Sequence, residues 1–266
     1  MKSVTIIPYA GLGNRMRAIS SGIFISQKLN ANAIIYWNKT QDCYANFCDL
    51  FKPIIIPHIT LIENTILLNK IPTKKNLYIP LLMQKLYYSQ CIYNFNKNTN
   101  GDILNFIKKD TNLLLSSCHS MSNHYKFGNL FIPTDEIQTE ISDLTNNFHN
   151  NTIGVHIRRT DNINSIKQSS NKSFIKKLDY ELNLNSETNF YLATDDIYVK
   201  EYFLKIYGDK IITCWDKINR NTLKGMKSAV KDLYCLSKTK KIIGSAYSSY
   251  SEIAAELGNI SLEIAK

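Results

Sequence analysis

Between Gly154 and Asp161 the sequence reads GVHIRRTD, a hydrophobic strand that runs straight into His156, Arg158, Arg159 and Asp161. Thr152, Ile153, Val155 and Ile157 supply the alternation and β-branching of a strand. Side chains alternate across a strand, so His156 and Arg158 share one face and Val155 and Ile157 the other. An imidazole and a guanidinium therefore stand side by side at a strand's carboxyl end. That pairing suits the grip of phosphate oxygens, because a guanidinium is always charged and its planar fork holds two oxygens at once. The competing use is structural, with one of the two arginines paired to Asp161. A second strand, NFYLATDD, delivers Asp195 and Asp196 at its end. Acids favour helix N-termini, so one of the two is expected to cap the next helix: Asp196 as cap with Asp195 toward a ligand, the reverse assignment staying open.

The elements that position these groups alternate between strand and helix. Val4 to Pro8 is a short strand, and AGLGNRMRAISSGIFISQKLN follows with helical spacing at Met16, Ile19 and Ile23. A strand, a glycine turn and a helix let backbone amides approach an anion. The dinucleotide fingerprint is broken twice: Met16 stands at its third glycine, and the strand Ala33 to Trp37 ends in Asn38 where a ribose-binding acid belongs. Nicotinamide and flavin chemistry is thereby disfavoured. From Asn38 to Asn100 prolines at 53, 57, 72 and 80 interrupt short apolar runs, which reads as loops with short elements, an acceptor-facing surface. Its aromatics, Tyr44, Phe47, Tyr87, Tyr88, Tyr93 and Phe95, could stack on sugar rings, although packing accounts for them more simply.

Further on, Asp102 to Lys109 reads as a helix, Asn112 to Ser117 as a strand and Asp135 to Phe148 as a helix, with a domain boundary at His149 to Asn151. Asn162 to Asn171 reads as a polar loop over the site. Helices are expected at Phe174 to Leu184, Ile197 to Tyr207, Thr222 to Lys238 and Ser251 to Leu257, with strands at Lys210 to Cys214 and Lys241 to Gly244. Such alternation reads as an open α/β fold, whose ligands sit beyond the carboxyl ends of the strands.

Composition narrows the class. The 266 residues are 44% hydrophobic, enough for a substantial core in one large or two modest domains. Lys and Arg exceed Asp and Glu by 32 to 22, a formal charge of +10, which suits anionic partners such as phosphates or anionic lipids. The basic residues are scattered and no RNA-binding signature is present, so a nucleic-acid-binding protein is the rival class and no nucleic acid is expected. Six cysteines, at 43, 48, 91, 118, 214 and 235, show no zinc-ligand spacing and read as reduced thiols. No apolar run reaches the roughly 20 residues of a membrane span. A cytoplasmic protein is expected, with peripheral contact at the inner face of a membrane compatible with its charge.

At HIRRTD the sequence resembles the HxRRxD signature of the fucosyltransferase superfamily, which includes α1,2-, α1,6- and protein O-fucosyltransferases. Three further stretches are similar to family blocks in the same order: GLGN near the start, ATDD at 193–196, and DLYCLSKTKKIIGSAYSSYSEIAAELG from Asp232 to Gly258. The resemblance implies a GT-B-like arrangement of two Rossmann-type domains with parallel sheets. Residues 1–150 would face the acceptor and residues 151–266 would bind a GDP-sugar. It implies inverting transfer of L-fucose from GDP-fucose, without a metal or other cofactor, to a glycan or lipid-linked oligosaccharide, in surface-polysaccharide synthesis. Another GDP-sugar is the nearest alternative.

Residue by residue, the resemblance assigns Arg158 to the diphosphate, His156 and Gly13 to the nucleotide-sugar, Asp195 to the ligand side, and Asn14 to the neighbourhood of the reacting centre. Asp232 would read guanine, while Ser248 and Ser249 would donate to phosphates. A carboxylate does suit guanine's donor edge, and hydroxyls at a helix start suit a diphosphate. Arg159 with Asp161 would hold the loop. Some α1,6-type relatives use a Glu just past the signature as base. Here NINSIKQSS follows, so either a carboxylate of the first domain or a dissociative reaction is expected, with Asp161 a lesser candidate.

Overall fold

A computed structural model describes residues 2–63, 79–108, 112–160, 163–216 and 219–266. The chain forms two compact units, Met1–Ile132 and Pro133–Lys266. Each is an α/β unit built on a five-stranded sheet in which every strand pair is parallel, the fold class expected from the alternation of elements.

The first unit runs β1 (Ser3–Pro8), α1 (Leu12–Lys28), β2 (Asn32–Trp37), β3 (Ile59–Glu63), α2 (Leu81–Tyr87), β4 (Gln90–Tyr93), α3 (Lys97–Asn100), β5 (Leu113–Ser117) and α4 (Phe127–Leu130). Its sheet has the order β3-β2-β1-β5-β4. Strand order therefore reverses between β1 and β5, and the glycine turn lies at the carboxyl end of β1. Phe47 belongs to the core: it packs with Trp37, Phe51 and Phe131 at ring separations of 5.5, 5.2 and 6.1 Å. Tyr87 and Tyr93 are exposed. The helix expected over Asp102 to Lys109 is, among the described residues, a single tight turn at Ile103–Phe106. Asp102 accepts from both Leu104 N and Ser122 Oγ, so its carboxylate closes the turn and ties it to a distant loop.

The second unit continues with α5 (Asp135–Thr145), β6 (Ile153–Ile157), α6 (Ile163–Gln168), α7 (Asn171–Leu184), β7 (Phe190–Thr194), α8 (Ile197–Tyr207), β8 (Ile211–Thr213), α9 (Leu223–Ser237), β9 (Lys241–Gly244), α10 (Ser249–Gly258) and β10 (Ser261–Ile264). Its sheet order is β10-β9-β6-β7-β8. All residues of β6 and β7 are buried, as central strands covered on both faces must be. Ile153, Val155, Ile157, Phe190 and Leu192 meet Phe174 and Leu178 of α7 and Phe203 of α8 in the core.

Three expectations change here. The second unit begins at Pro133, ahead of the boundary drawn at 150, because α5 packs on α9: Lys231 bonds to Glu140 at 2.5 Å and Lys227 to Glu136 at 2.5 Å. The polar loop from 162 to 171 contains α6, a helix too short to stand alone. Contacts with the turn after β9 support it, Gln168 Nε2 donating to the Tyr247 hydroxyl at 3.1 Å. Beyond Lys241–Gly244, a further edge strand, β10, pairs with β9. Its polar Glu263 hides it in the sequence, since that carboxylate leaves the alternation to pair with Lys177 and Lys241.

Candidate active site

In the second sheet the chain steps from β6 outward to β7 and β8, then returns to the other side of β6 with β9 and β10. The carboxyl ends of β6 and β9 thus flank a topological switch point, the place where an open α/β sheet holds its ligand. Arg158 follows β6, and the turn from Ser245 to Ser248 follows β9. Hydrogen bonds fasten the two exits together: Ser245 N donates to His156 O at 3.0 Å, and Arg158 N donates to Ser245 Oγ at 3.0 Å. Tyr247 takes a left-handed φ of 55°, a costly conformation for a bulky residue and one found where a turn is shaped for a ligand. Ser248 is the N-cap of α10 but makes no side-chain capping bond, so that helix opens at the switch point uncapped by its own serine.

Arg158 is about a third exposed and its Nη1 lies 3.0 Å from Asp195 Oδ2. The pair is part of a tight web: Asp195 also accepts from Arg159 N at 2.8 Å and Thr160 Oγ1 at 2.7 Å. Burial disfavours the charge on Asp195, but Arg158, Thr160 and the Arg159 amide outweigh it and hold the carboxyl below its ordinary range. Asp195, at the end of β7, is thus a partner of Arg158 among the described residues. Asp161 lies outside the described residues. Arg159 turns toward α7: its Nε and Nη2 donate to Asn171 Oδ1 at 3.1 and 2.6 Å and its Nη1 to Arg158 O at 2.8 Å. Asp196 caps α8, accepting from Tyr198 N at 2.8 Å.

His156 is buried, sharing a hydrogen bond of 2.7 Å between Nδ1 and Ser251 Oγ of α10. Ser248 Oγ is 3.5 Å from the same nitrogen. Burial, reinforced by Arg158, lowers the imidazole to about 3, so it is neutral near pH 7. The Tyr250 ring lies 4.8 Å from the imidazole, and its hydroxyl donates to Ala229 O on α9, the helix that carries Asp232. Asp232 is 2% exposed, far from a solvated helix position. Its Oδ1 accepts from the Tyr191 hydroxyl at 2.6 Å, and burial raises the carboxyl to about 6. Hydrogen bonds therefore join His156, Arg158, Asp195 and the turn from Ser245 to Ser248 into one cluster, while Asp232 is bonded to Tyr191 and lies on the helix that Tyr250 reaches.

Gly13 and Asn14 fall in the first turn of α1, in the other unit. The turn before them holds Ala10 at φ 65°, pinned by Arg15, whose Nε donates to Ala10 O at 2.8 Å and Nη2 to Thr40 Oγ1 at 2.7 Å. Three of the first unit's described carboxylates are already engaged: Asp49 by Asn46 N, Glu63 by Phe47 N and Asp102 as described. Among the described residues no group of three or more His, Cys, Asp or Glu is placed to hold a metal, and no helix is long and apolar enough to cross a membrane.

No family model matches the sequence, and neither does any curated protein. Solved structures do match. The NodZ α-1,6-fucosyltransferase soaked with GDP-fucose is 15% identical, with a TM-score of 0.63 over 96% of this chain and 92% of that one. NodZ from Bradyrhizobium is among the matches. The chain has the fold of fucosyltransferases. A mutant of Arabidopsis thaliana FUT1 in complex with GDP matches at 14% identity and TM-score 0.63, over 99% of this chain and 70% of that one. POFUT1 in complex with GDP matches at 9% identity and TM-score 0.57, over 99% and 98%.

Within this fucosyltransferase fold, sequence reasoning passed over Ser245, Ser251, Asn171 and Tyr191. Each acts by bonding a residue distant in sequence, from 12 positions for Asn171 and Arg159 to 95 for Ser251 and His156. Nothing local marks them, although Tyr191, a polar aromatic inside a buried strand, carries the one visible hint that its hydroxyl needs a partner.

Proposed function

We propose that this chain is an inverting glycosyltransferase that moves L-fucose from GDP-fucose to a hydroxyl of a glycan or lipid-linked oligosaccharide, without a metal, in surface-polysaccharide synthesis at the cytoplasmic side of a membrane. The observation that carries the reading is Arg158, anchored by Asp195 at a switch point beside the uncapped start of α10. The fold shared with enzymes solved with GDP-fucose or GDP supports the choice of donor.

In this reading the diphosphate lies against Arg158, Ser248, Ser249 and the first amides of α10. The acceptor hydroxyl attacks the anomeric carbon from the face opposite the phosphate, its oxygen forming the new bond and its proton passing to water. The bond from that carbon to the β-phosphate oxygen breaks, and its electron pair stays on the diphosphate. Fixed donors aimed at that growing charge are worth about 3 to 4 kcal/mol each. Asp232 accepts from guanine, and His156, neutral and held by Ser251, contacts the nucleotide. Arg159 sets the loop through Asn171.

Calorimetric titration with GDP, GDP-fucose and UDP tests the assignment, with transfer from GDP-fucose and GDP-mannose compared alongside. GDP should bind and UDP should not. Arg158→Ala should cut turnover by about 100- to 1,000-fold. Binding of UDP equal to that of GDP, or salt-dependent nucleic-acid binding indifferent to Arg158→Ala, would overturn the proposal.

A further inference from the structure

Asp232 meets the guanine reading in an unusual setting. Its Oδ1 is taken by the Tyr191 hydroxyl, while no hydrogen bond among the described residues occupies Oδ2. An ionised carboxylate only accepts, which complements the N1–H and exocyclic amine of guanine. A protonated carboxyl offers one donor and one acceptor, which complements the N1 acceptor and N6 amine of adenine instead. The protonation state of this one group thus selects the purine. Resting on the nucleotide site proposed above, we infer that Tyr191 is a positioning residue that holds Asp232 as an acceptor and so makes the site prefer guanine over adenine.

The geometry supports this in three ways. Tyr191 is fully buried on a strand paired on both sides, opposite Gly154 of β6 and Ile212 of β8, so its hydroxyl has a fixed place. The Phe148 ring packs on it at 5.3 Å. A phenol O–H donated into a carboxylate stabilises the charged form, opposing the cost of burial. The other groups near Asp232 divide in sign. Lys200 of α8 bonds to Cys214 O and Lys231 of α9 to Glu140 of α5, both favouring ionisation, whereas Asp216 opposes it. Cys214, Cys235 and Tyr250 of α10 complete the surroundings, with burial and Asp232 itself raising all three. Burial brings Asp232 up to about 6, close enough to neutrality for a single hydrogen bond to matter.

The test is calorimetric titration of the full chain with GDP, ADP and UDP from pH 5 to 8.5, for wild type and Tyr191→Phe. Wild type should prefer GDP above pH 7, and the ratio of GDP to ADP affinity should narrow as pH falls through about 6. In Tyr191→Phe the pH at which preference is lost should rise by about one unit, with GDP affinity falling about twofold at pH 7 and about fivefold at pH 6, and ADP affinity not falling. Equal losses for GDP and ADP, or an unmoved pH profile, would show a structural role only and overturn the inference. Should the variant not fold, wild type decides: a GDP to ADP ratio constant from pH 5 to 8.5 overturns it as well. A wild-type chain that binds no GDP at all removes the site reading itself, a distinct failure.

Discussion

Two aspartates of the second unit have opposite electrostatic consequences. Asp195 has its carboxyl held down by Arg158, Thr160 and a backbone amide, so its contribution to stability is present above the unfolded value of about 4 and fades as pH falls below it. Asp232 has its carboxyl raised to about 6, so the folded state holds a proton more tightly than the unfolded chain and loses stability as pH climbs from about 4 to 6. Denaturant titration should therefore separate them. Asp195→Asn should cost about 1 to 3 kcal/mol at pH 7 and little below pH 3. Asp232→Asn should be no less stable than wild type at pH 7.5, its relative stability rising between pH 4 and 6, while GDP binding falls. A loss of stability at pH 7.5 that matches the Asp195 variant would contradict the assignment.

At the scale of elements, the site depends on how closely α10 approaches the sheet. A Cβ on Gly244, the last residue of β9, would lie 2.7 Å from Ser251 Oγ, 2.8 Å from Ser251 Cβ and 2.9 Å from Leu262 Cδ1. Ser251 is also the hydrogen-bond partner of His156, so the glycine, the helix and the imidazole are mutually fitted. Gly244→Ala should push α10 outward, costing about 1 to 3 kcal/mol by overpacking. Because the displaced element carries the Ser248 turn, GDP affinity should fall together with stability. Urea unfolding alongside GDP titration checks this, and a variant that is destabilised yet binds GDP normally would separate α10 from the site.

At the scale of the molecule, the two units have separate sheets and cores, and the second starts with the helix that covers α9. A fragment comprising residues 133–266 should unfold cooperatively. One comprising 151–266 should not, since it loses Glu136 and Glu140 together with the buried apolar Ile137 and Ile141 of α5, and exposes the face of α9 that carries Lys227 and Lys231. Circular dichroism through a urea titration distinguishes the two. Equal cooperativity would place the working boundary nearer 150.

Most strands and helices were legible from the chain alone, because their signals are local: β-branched alternation for β6, an acid at the start of α8, a glycine turn after β1. The candidate groups for a diphosphate, Arg158 and the serine turn, could also be named from the chain, since both follow strands, and the strands of a parallel sheet end on one side. Only the folded chain decided which group holds which. Asp195 was found beside Arg158, 37 positions from it, and Tyr191 was found on Asp232 across 41. Hydrogen bonds between residues so far apart are set by sheet order and helix packing, and these leave no periodic trace in the sequence.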